Sequence, residues 1–169
     1  ILVQGSDGYS FFITMDEVQE NPGLLMVPQG QANSRSFDLV GAENSKAWVR
    51  GVQVIRVISP PRLEISGLLD NPGDYDPETW QFKMDSTALT IGDTSGKYQG
   101  VALELVLQEK GIQSQANEVL LIGDGSPISL ELSTILNEPN LQIFTIIIGD
   151  QVSYAIARMD GQVVVSNLE

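Results

Sequence analysis

Residues 143–157 have the sequence IFTIIIGDQVSYAIA, in which two runs of β-branched and aromatic residues flank Gly149-Asp150. Such runs on either side of a turn predict two strands, residues 143–148 and 152–157. The first run is almost entirely apolar, so we expect it at the centre of a sheet, because an exposed strand of this composition would invite aggregation. This stretch predicts a sheet-rich fold.

The clearest predicted helix is residues 101–110, VALELVLQEK, which are mostly strong helix formers. Lys110 would complement the dipole of the last turn, and Gly111 would supply the left-handed residue that ends the helix. Apolar residues at every second position also permit a strand here. With further strands predicted at residues 48–58 and 63–69, the sequence indicates an α+β protein dominated by mixed sheets with two or three short helices.

An internal repeat aligns residues 3–26, VQGSDGYSFFITMDEVQENPGLLM, with residues 120–143, LLIGDGSPISLELSTILNEPNLQI, without gaps. The identical pairs are Asp7/Asp124, Gly8/Gly125, Pro22/Pro139 and Leu24/Leu141. Each copy predicts a strand, an Asp-Gly turn, a second strand and a short helix. In the first copy Thr14 and Glu17 fit a capping box, and the helix should end near Asn21 because a proline follows it.

The segment Ser59-Pro60-Pro61 is the predicted boundary between two units, because paired prolines stiffen the chain and are excluded from central strands. It separates residues 1–58 from residues 62–169. Each unit then contains one copy of the repeated segment.

The formal net charge is −13, and the chain contains neither cysteine nor histidine. An acidic surface repels phosphate and anionic lipid, so we expect neither nucleic acid nor a membrane surface as partner. No run approaches the roughly 20 apolar residues of a membrane span, which argues against membrane insertion. The missing residue types exclude disulfides, thiolate metal sites and histidine-dependent triads. Cations and basic protein surfaces are the expected partner classes.

Two groups of side chains are candidate sites, and each has a structural alternative. Four oxygen ligands cluster around one turn and could bind Ca²⁺: Asp70, Asp74, Asp76 and Glu78. The alternative is a solvated acidic loop with Asx turns, since the spacing does not match an EF-hand. Three aromatic residues could form a ligand-binding face or belong to the core: Tyr75, Trp80 and Tyr98.

Four short motifs resemble the molybdopterin-binding domain of the sulfite oxidase family. GLLDNP at residues 67–72 is similar to its G-x-V-x-N-P opening, and KYQGVALELVL at residues 97–107 is similar to its Y-x-G-V-x-L helix. DGY at residues 7–9 and WVRG at residues 48–51 resemble later segments of that domain. The resemblance implies that the first unit is the second half of such a domain and that the second unit is a more complete copy, so that the chain holds this scaffold in one full and one partial repeat.

The sequence departs from that family at the positions that carry its chemistry. The family's molybdenum-ligating cysteine would fall within TALTIG, residues 87–92, and neither hydroxyl nor alkyl groups replace a thiolate ligand. Asp38 falls where the family has a basic residue for the cofactor phosphate, and only Arg50 matches a family lysine. We therefore expect this scaffold to hold no molybdopterin.

These observations predict a non-catalytic interaction module with a protein partner. The chain begins at Ile1 without methionine, which is typical of a mature form or a fragment, so we expect part of a larger exported protein in the extracellular space or cell envelope. Two alternatives stay open. One is a molybdopterin-dependent oxidoreductase with its catalytic residues outside this chain, and the other is a Ca²⁺-stabilised extracellular structural repeat.

Overall fold

A computed structural model describes residues 1–30, 35–42, 47–59, 62–81, 84–91, 94–123, 125–148, 151–166 and 168. The chain divides into two compact units, Ile1–Ser59 (unit 1) and Pro60–Glu169 (unit 2). Pro60 and Pro61, which the sequence marks as a boundary, lie outside the described residues. Each unit is sheet-rich with short helices, which confirms an α+β fold.

Unit 1 contains five strands and one helix: β1 (Leu2–Gly5), β2 (Ser10–Phe12), α1 (Met15–Glu20), β3 (Leu25–Gln29), β4 (Ser36–Val40) and β5 (Val52–Arg56). Strand β1 lies between β2 and β5 in a three-stranded sheet, while β3 and β4 form a hairpin. Its core is built from Val3, Phe11, Ile13, Leu39, Ala42, Ala47 and Val49.

Helix α1 begins and ends where its sequence predicts. The Thr14 hydroxyl oxygen accepts a hydrogen bond from the Glu17 N–H at 2.9 Å, which satisfies one of the free donors of the first turn. Asn21 ends the helix in an extended conformation before Pro22.

Unit 2 contains the other elements. Its strands are β6 (Glu64–Ile65), β7 (Gly73–Asp74), β8 (Asp85–Ile91), β9 (Thr94–Ala102), β10 (Glu118–Leu121), β11 (Ile128–Glu131), β12 (Leu141–Ile148), β13 (Gln151–Arg158) and β14 (Val163–Val165). Its helices are α2 (Pro77–Trp80), α3 (Leu103–Lys110) and α4 (Leu132–Leu136). The main sheet has the order β14-β13-β12-β9-β8, and two hairpins, β6–β7 and β10–β11, accompany it.

Strand β12 lies at the centre of the main sheet, between β13 and β9, which confirms the placement predicted from its apolar run. Ile143 and Phe144 are almost fully buried on its opposite faces. Every pairing between described strands is antiparallel, a more regular arrangement than the mixed sheets expected. A parallel pair needs a longer crossover connection than the hairpins that join most of these strands.

Two predicted elements begin or end at other residues than the sequence predicts. The helix expected from residue 101 begins at Leu103, because Val101 and Ala102 still pair with β12 as the end of β9. It ends as predicted, at Gly111 in the left-handed conformation. The strand expected over residues 63–69 is reduced to β6 and a single bridge at Leu69.

The described helices number four, against the two or three expected. The short α2 was not predicted, although Asp76 caps its first turn and Pro77 is its first residue. A proline suits that position, because its missing N–H is one that a helix leaves unsatisfied.

The two aligned segments share one element order. Residues 3–26 contain most of β1 together with β2 and α1, and residues 120–143 contain the second half of β10 together with β11 and α4. Gly8 and Gly125 have positive φ angles, 82° and 100°, while Asp124 lies outside the described residues. The shared order agrees with the predicted repeat, and a common origin for the segments stays a prediction.

Candidate functional site

Unit 2 contains an apolar pocket of about 420 Å³. One wall is formed by residues 63–69, and a second wall by residues 116–122. The floor consists of large apolar side chains from α3, α4, the main sheet and the last described residue: Leu103, Leu107, Leu132, Ile143, Ile156 and Leu168. The volume lies in the range of sites that hold a drug-sized molecule or a few side chains of a peptide.

Helix α3 faces the pocket because its apolar residues recur at helical spacing. Leu103 and Leu107 lie one turn apart on the buried face, while Glu104 and Gln108 lie on the polar face. The Gln108 side-chain amide donates to the Glu104 carboxylate at 2.8 Å, so the polar face is tied together away from the core. This is the orientation that the sequence of α3 predicts.

The first wall is attached to the end of α3 by main-chain hydrogen bonds. The Asp70 N–H donates to the Gly111 carbonyl at 2.8 Å, and the Asn71 N–H donates to the Lys110 carbonyl at 2.9 Å. The Gln113 N–H donates back to the Leu68 carbonyl at 3.1 Å. Main-chain hydrogen bonds therefore hold this wall against the end of α3, in addition to side-chain packing.

Large apolar side chains are exposed at the pocket's rim. Leu68 is 51% exposed, Leu120 is 58% exposed and Ile122 is 48% exposed, and all three line the pocket. Single exposed apolar residues are ordinary on protein surfaces, whereas here three of them line one apolar cavity. The only charged residues lining it, within the part of the chain that the structure describes, are Glu64 and Glu118.

The four predicted Ca²⁺ ligands do not converge. Asp74 forms an ion pair with Arg62, whose Nε–H donates to both carboxylate oxygens at 2.8 and 2.9 Å, and this hydrogen bond is the main cause that raises the pKa of the guanidinium. Asp76 accepts from the Glu78 N–H at 2.9 Å and from the Thr79 hydroxyl at 2.6 Å, as the cap of α2.

Asp70 instead lies against Gly111, at the wall described above. Over the described ranges of the chain, no three His, Cys, Asp or Glu side chains form a group that could hold a metal ion. The acidic turn instead holds the end of the hairpin β6–β7 and the start of helix α2.

The three aromatic candidates lie in the core of unit 2 and its main sheet. Tyr75, Trp80 and Tyr98 are each at most 6% exposed, which rules out an open aromatic face. The Tyr75 ring meets the Tyr154 ring edge to face at 5.2 Å. Burial raises the pKa of both phenols, and neither hydroxyl has a hydrogen-bond partner among the described residues.

The positions singled out by the family resemblance do not fit molybdopterin. Thr87 lies on the edge strand β8 and its hydroxyl contacts the Met159 sulfur at 3.8 Å, so this stretch presents no soft anionic ligand. Gly92 lies outside the described residues. The Asp38 carboxylate accepts from the Gly51 N–H at 2.8 Å, a structural contact that leaves an acidic group where a phosphate would need a basic one.

Comparison with known proteins identified no relative: no family model, no curated protein and no solved structure matches the chain. The resemblance to the sulfite oxidase family therefore stays a prediction. Among the described helices, none is long and apolar enough to cross a membrane.

The pocket itself was not predicted from the sequence. Its two walls are separated by about fifty residues, and nothing in either segment indicates that the two meet. One signal was present: residues 118–122, EVLLI, place apolar residues on both faces of a strand, which a two-stranded hairpin cannot cover.

Proposed function

We propose that this protein is a non-catalytic interaction module and that the pocket of unit 2 binds part of a partner protein. The observation that carries the proposal is an apolar cavity of about 420 Å³ whose rim exposes Leu68, Leu120 and Ile122. Covering such side chains on binding removes apolar surface from water, which contributes roughly 25 cal/mol for each Å². The chain offers no thiol and no imidazole for catalysis.

A protein segment is a better occupant than a small polar metabolite. The lining provides two carboxylates but otherwise mostly aliphatic side chains, so it has few groups that could orient a polar molecule. Aliphatic side chains of a peptide fit such a surface, and the rim lets the chain ends of a peptide leave the cavity.

The proposal is tested by selecting binders from a phage-displayed library of random decapeptides on the full chain. Synthetic copies of the selected peptides are then measured by fluorescence anisotropy against the wild type, Leu120→Thr and Leu25→Thr. Leu25 is the matched control, because it is 54% exposed in the hairpin β3–β4 and does not line the pocket. Threonine keeps the strand propensity at both positions.

We expect Leu120→Thr to weaken peptide binding about tenfold, as the loss of two buried carbon groups implies, and Leu25→Thr to leave it within twofold. Circular dichroism and the unfolding midpoint establish that both variants are folded. If the library yields no binder, or if the two variants weaken binding equally, the pocket is not the interaction site and the proposal is wrong.

A further inference from the structure

One wall of the pocket is a strand with an open edge. Among the described strands, β10 pairs with β11 alone, in a register that places Glu118 opposite Glu131 and Val119 opposite Leu130. Asn117 and Leu132 are the pair that precedes Glu118 and Glu131 in this register. They form a hydrogen-bonded pair, because the Leu132 N–H donates to the Asn117 carbonyl at 2.9 Å.

The direction of the free main-chain groups follows from that bond. In an antiparallel ladder, hydrogen-bonded pairs alternate with pairs whose main-chain groups point away from the partner strand. Val119 and Leu121 therefore bond to β11, while the N–H and C=O groups of Glu118 and Leu120 point outward. These are the groups that an additional strand would use.

The first wall, residues 63–69, contains a second strand edge to which no described strand is paired. Strand β6 pairs with β7, and the Tyr75 N–H donates to the Leu63 carbonyl at 2.7 Å. By the same alternation, the main-chain groups of Glu64 point away from β7. Residues of β6 and of β10 both line one pocket, so an extended segment bound there would have outward-facing backbone groups and apolar side chains within a single site.

The side chains of β10 determine which residues such a segment needs. Leu121 is buried and Val119 half-buried against the core of unit 2, whereas Glu118 and Leu120 lie on the exposed face. Side chains of an added strand alternate in the same way. Every second residue would point toward the floor of the pocket, and the residues between would lie beside Glu118 and Leu120.

The charge of the site favours a cationic segment. Glu64 and Glu118 line the pocket, Arg62 next to it is already bound by Asp74, and the whole chain has a net charge of −13. A lysine or arginine opposite Glu118 would form a cross-strand ion pair, and its alkyl stem would cover Leu120. Charge also argues against a second copy of this acidic chain as the occupant.

We propose that the pocket binds an extended segment of a partner protein by strand addition to β10, with apolar side chains at alternate positions and lysine or arginine between them. This inference rests on the proposed function and specifies the mode of binding and the chemistry of the partner.

The experiment uses the decapeptides selected on the full chain and concerns their sequence, their backbone and their charge. We expect apolar residues at every second position and lysine or arginine between them.

Methylation of single backbone nitrogens should weaken binding at least tenfold at alternate positions, because each methyl group removes a donor facing the strand edge. Glu118→Gln should weaken binding about threefold at low salt, while Glu20→Gln, which removes the same charge from helix α1, should not.

The outcomes separate this inference from the proposed function. Leu120-dependent binders with helical spacing, with acidic residues, or with tolerance of methyl groups at every nitrogen would overturn strand addition and leave the pocket as the binding site. A library without Leu120-dependent binders would overturn both. A dimer of the full chain that Leu120→Thr dissociates would assign the edge to a second copy and would also overturn this inference.

Discussion

Hairpin β1–β2 of unit 1 and hairpin β10–β11 of unit 2 are each followed by a short helix, yet their side chains have different surroundings. In the first, Leu2, Val3, Phe11 and Phe12 are all buried, and β5 extends the sheet. In the second, the sheet has two strands among the described residues, and Leu120 is exposed. The same local order of elements thus supports a buried core in one unit and a two-stranded hairpin with an exposed leucine in the other.

The largest expected difference between the hairpins is the effect of removing equivalent side chains. Phe11 aligns with Ile128; Phe11 is 1% exposed, while Ile128 is only partly buried. We expect Phe11→Ala to lower the free energy of unfolding of unit 1 by about 3–5 kcal/mol and Ile128→Ala to lower that of unit 2 by about 1–2 kcal/mol.

Guanidinium unfolding followed by tryptophan fluorescence measures both losses, because Trp48 lies in unit 1 and Trp80 in unit 2. Backgrounds carrying Trp48→Phe or Trp80→Phe isolate each signal. Equal losses at the two positions would show that hairpin β10–β11 is as deeply buried in solution as hairpin β1–β2, which would contradict the difference in their surroundings.

The turns of the two hairpins should respond alike, in contrast to their cores. Gly8 and Gly125 both have positive φ angles, which place a Cβ close to the following carbonyl oxygen. We expect Gly8→Ala and Gly125→Ala each to destabilise their unit by about 1–2 kcal/mol. The same fluorescence-detected unfolding measures both, and a loss at only one position would contradict a shared turn geometry.

The smallest difference concerns the start of the helix after each hairpin. Thr14 caps α1, whereas the aligned Glu131 begins α4 without a side-chain cap and lies directly across the strands from Glu118. We expect Thr14→Ala to destabilise unit 1 by about 1 kcal/mol. Glu131→Thr should stabilise unit 2 by about 0.5–1 kcal/mol, because it adds a cap and removes a like-charge pair.

Unfolding midpoints at low and high salt separate the two causes in the Glu131 variant. The electrostatic part of the gain should diminish with salt, while the cap should persist. A Glu131→Thr variant that is less stable than the wild type would show that this glutamate makes a favourable contact that outweighs both effects.

The successful predictions from sequence concern features that neighbouring residues decide. The cap at Thr14 and the end of α3 at Gly111 each depend on a few adjacent residues, and the central position of β12 follows from its unbroken apolar run. The start of α3 was placed two residues early because Val101 and Ala102 pair with a strand forty residues away. The predicted Ca²⁺ ligands failed to converge for a similar reason, since Asp74 pairs with Arg62 across the hairpin β6–β7.

The sequence by itself determined the class of fold, the acidity and the absence of thiol and imidazole chemistry, because composition and short-range pattern decide these properties. Only the tertiary structure decided where apolar residues remain uncovered. Leu120 lies in an apolar strand segment of the kind that forms protein cores. Whether it is buried depends on whether another strand packs beside β10. Burial is a property of the elements that pack together, so the pocket between residues 63–69 and 116–122 exists only once distant segments of the chain meet.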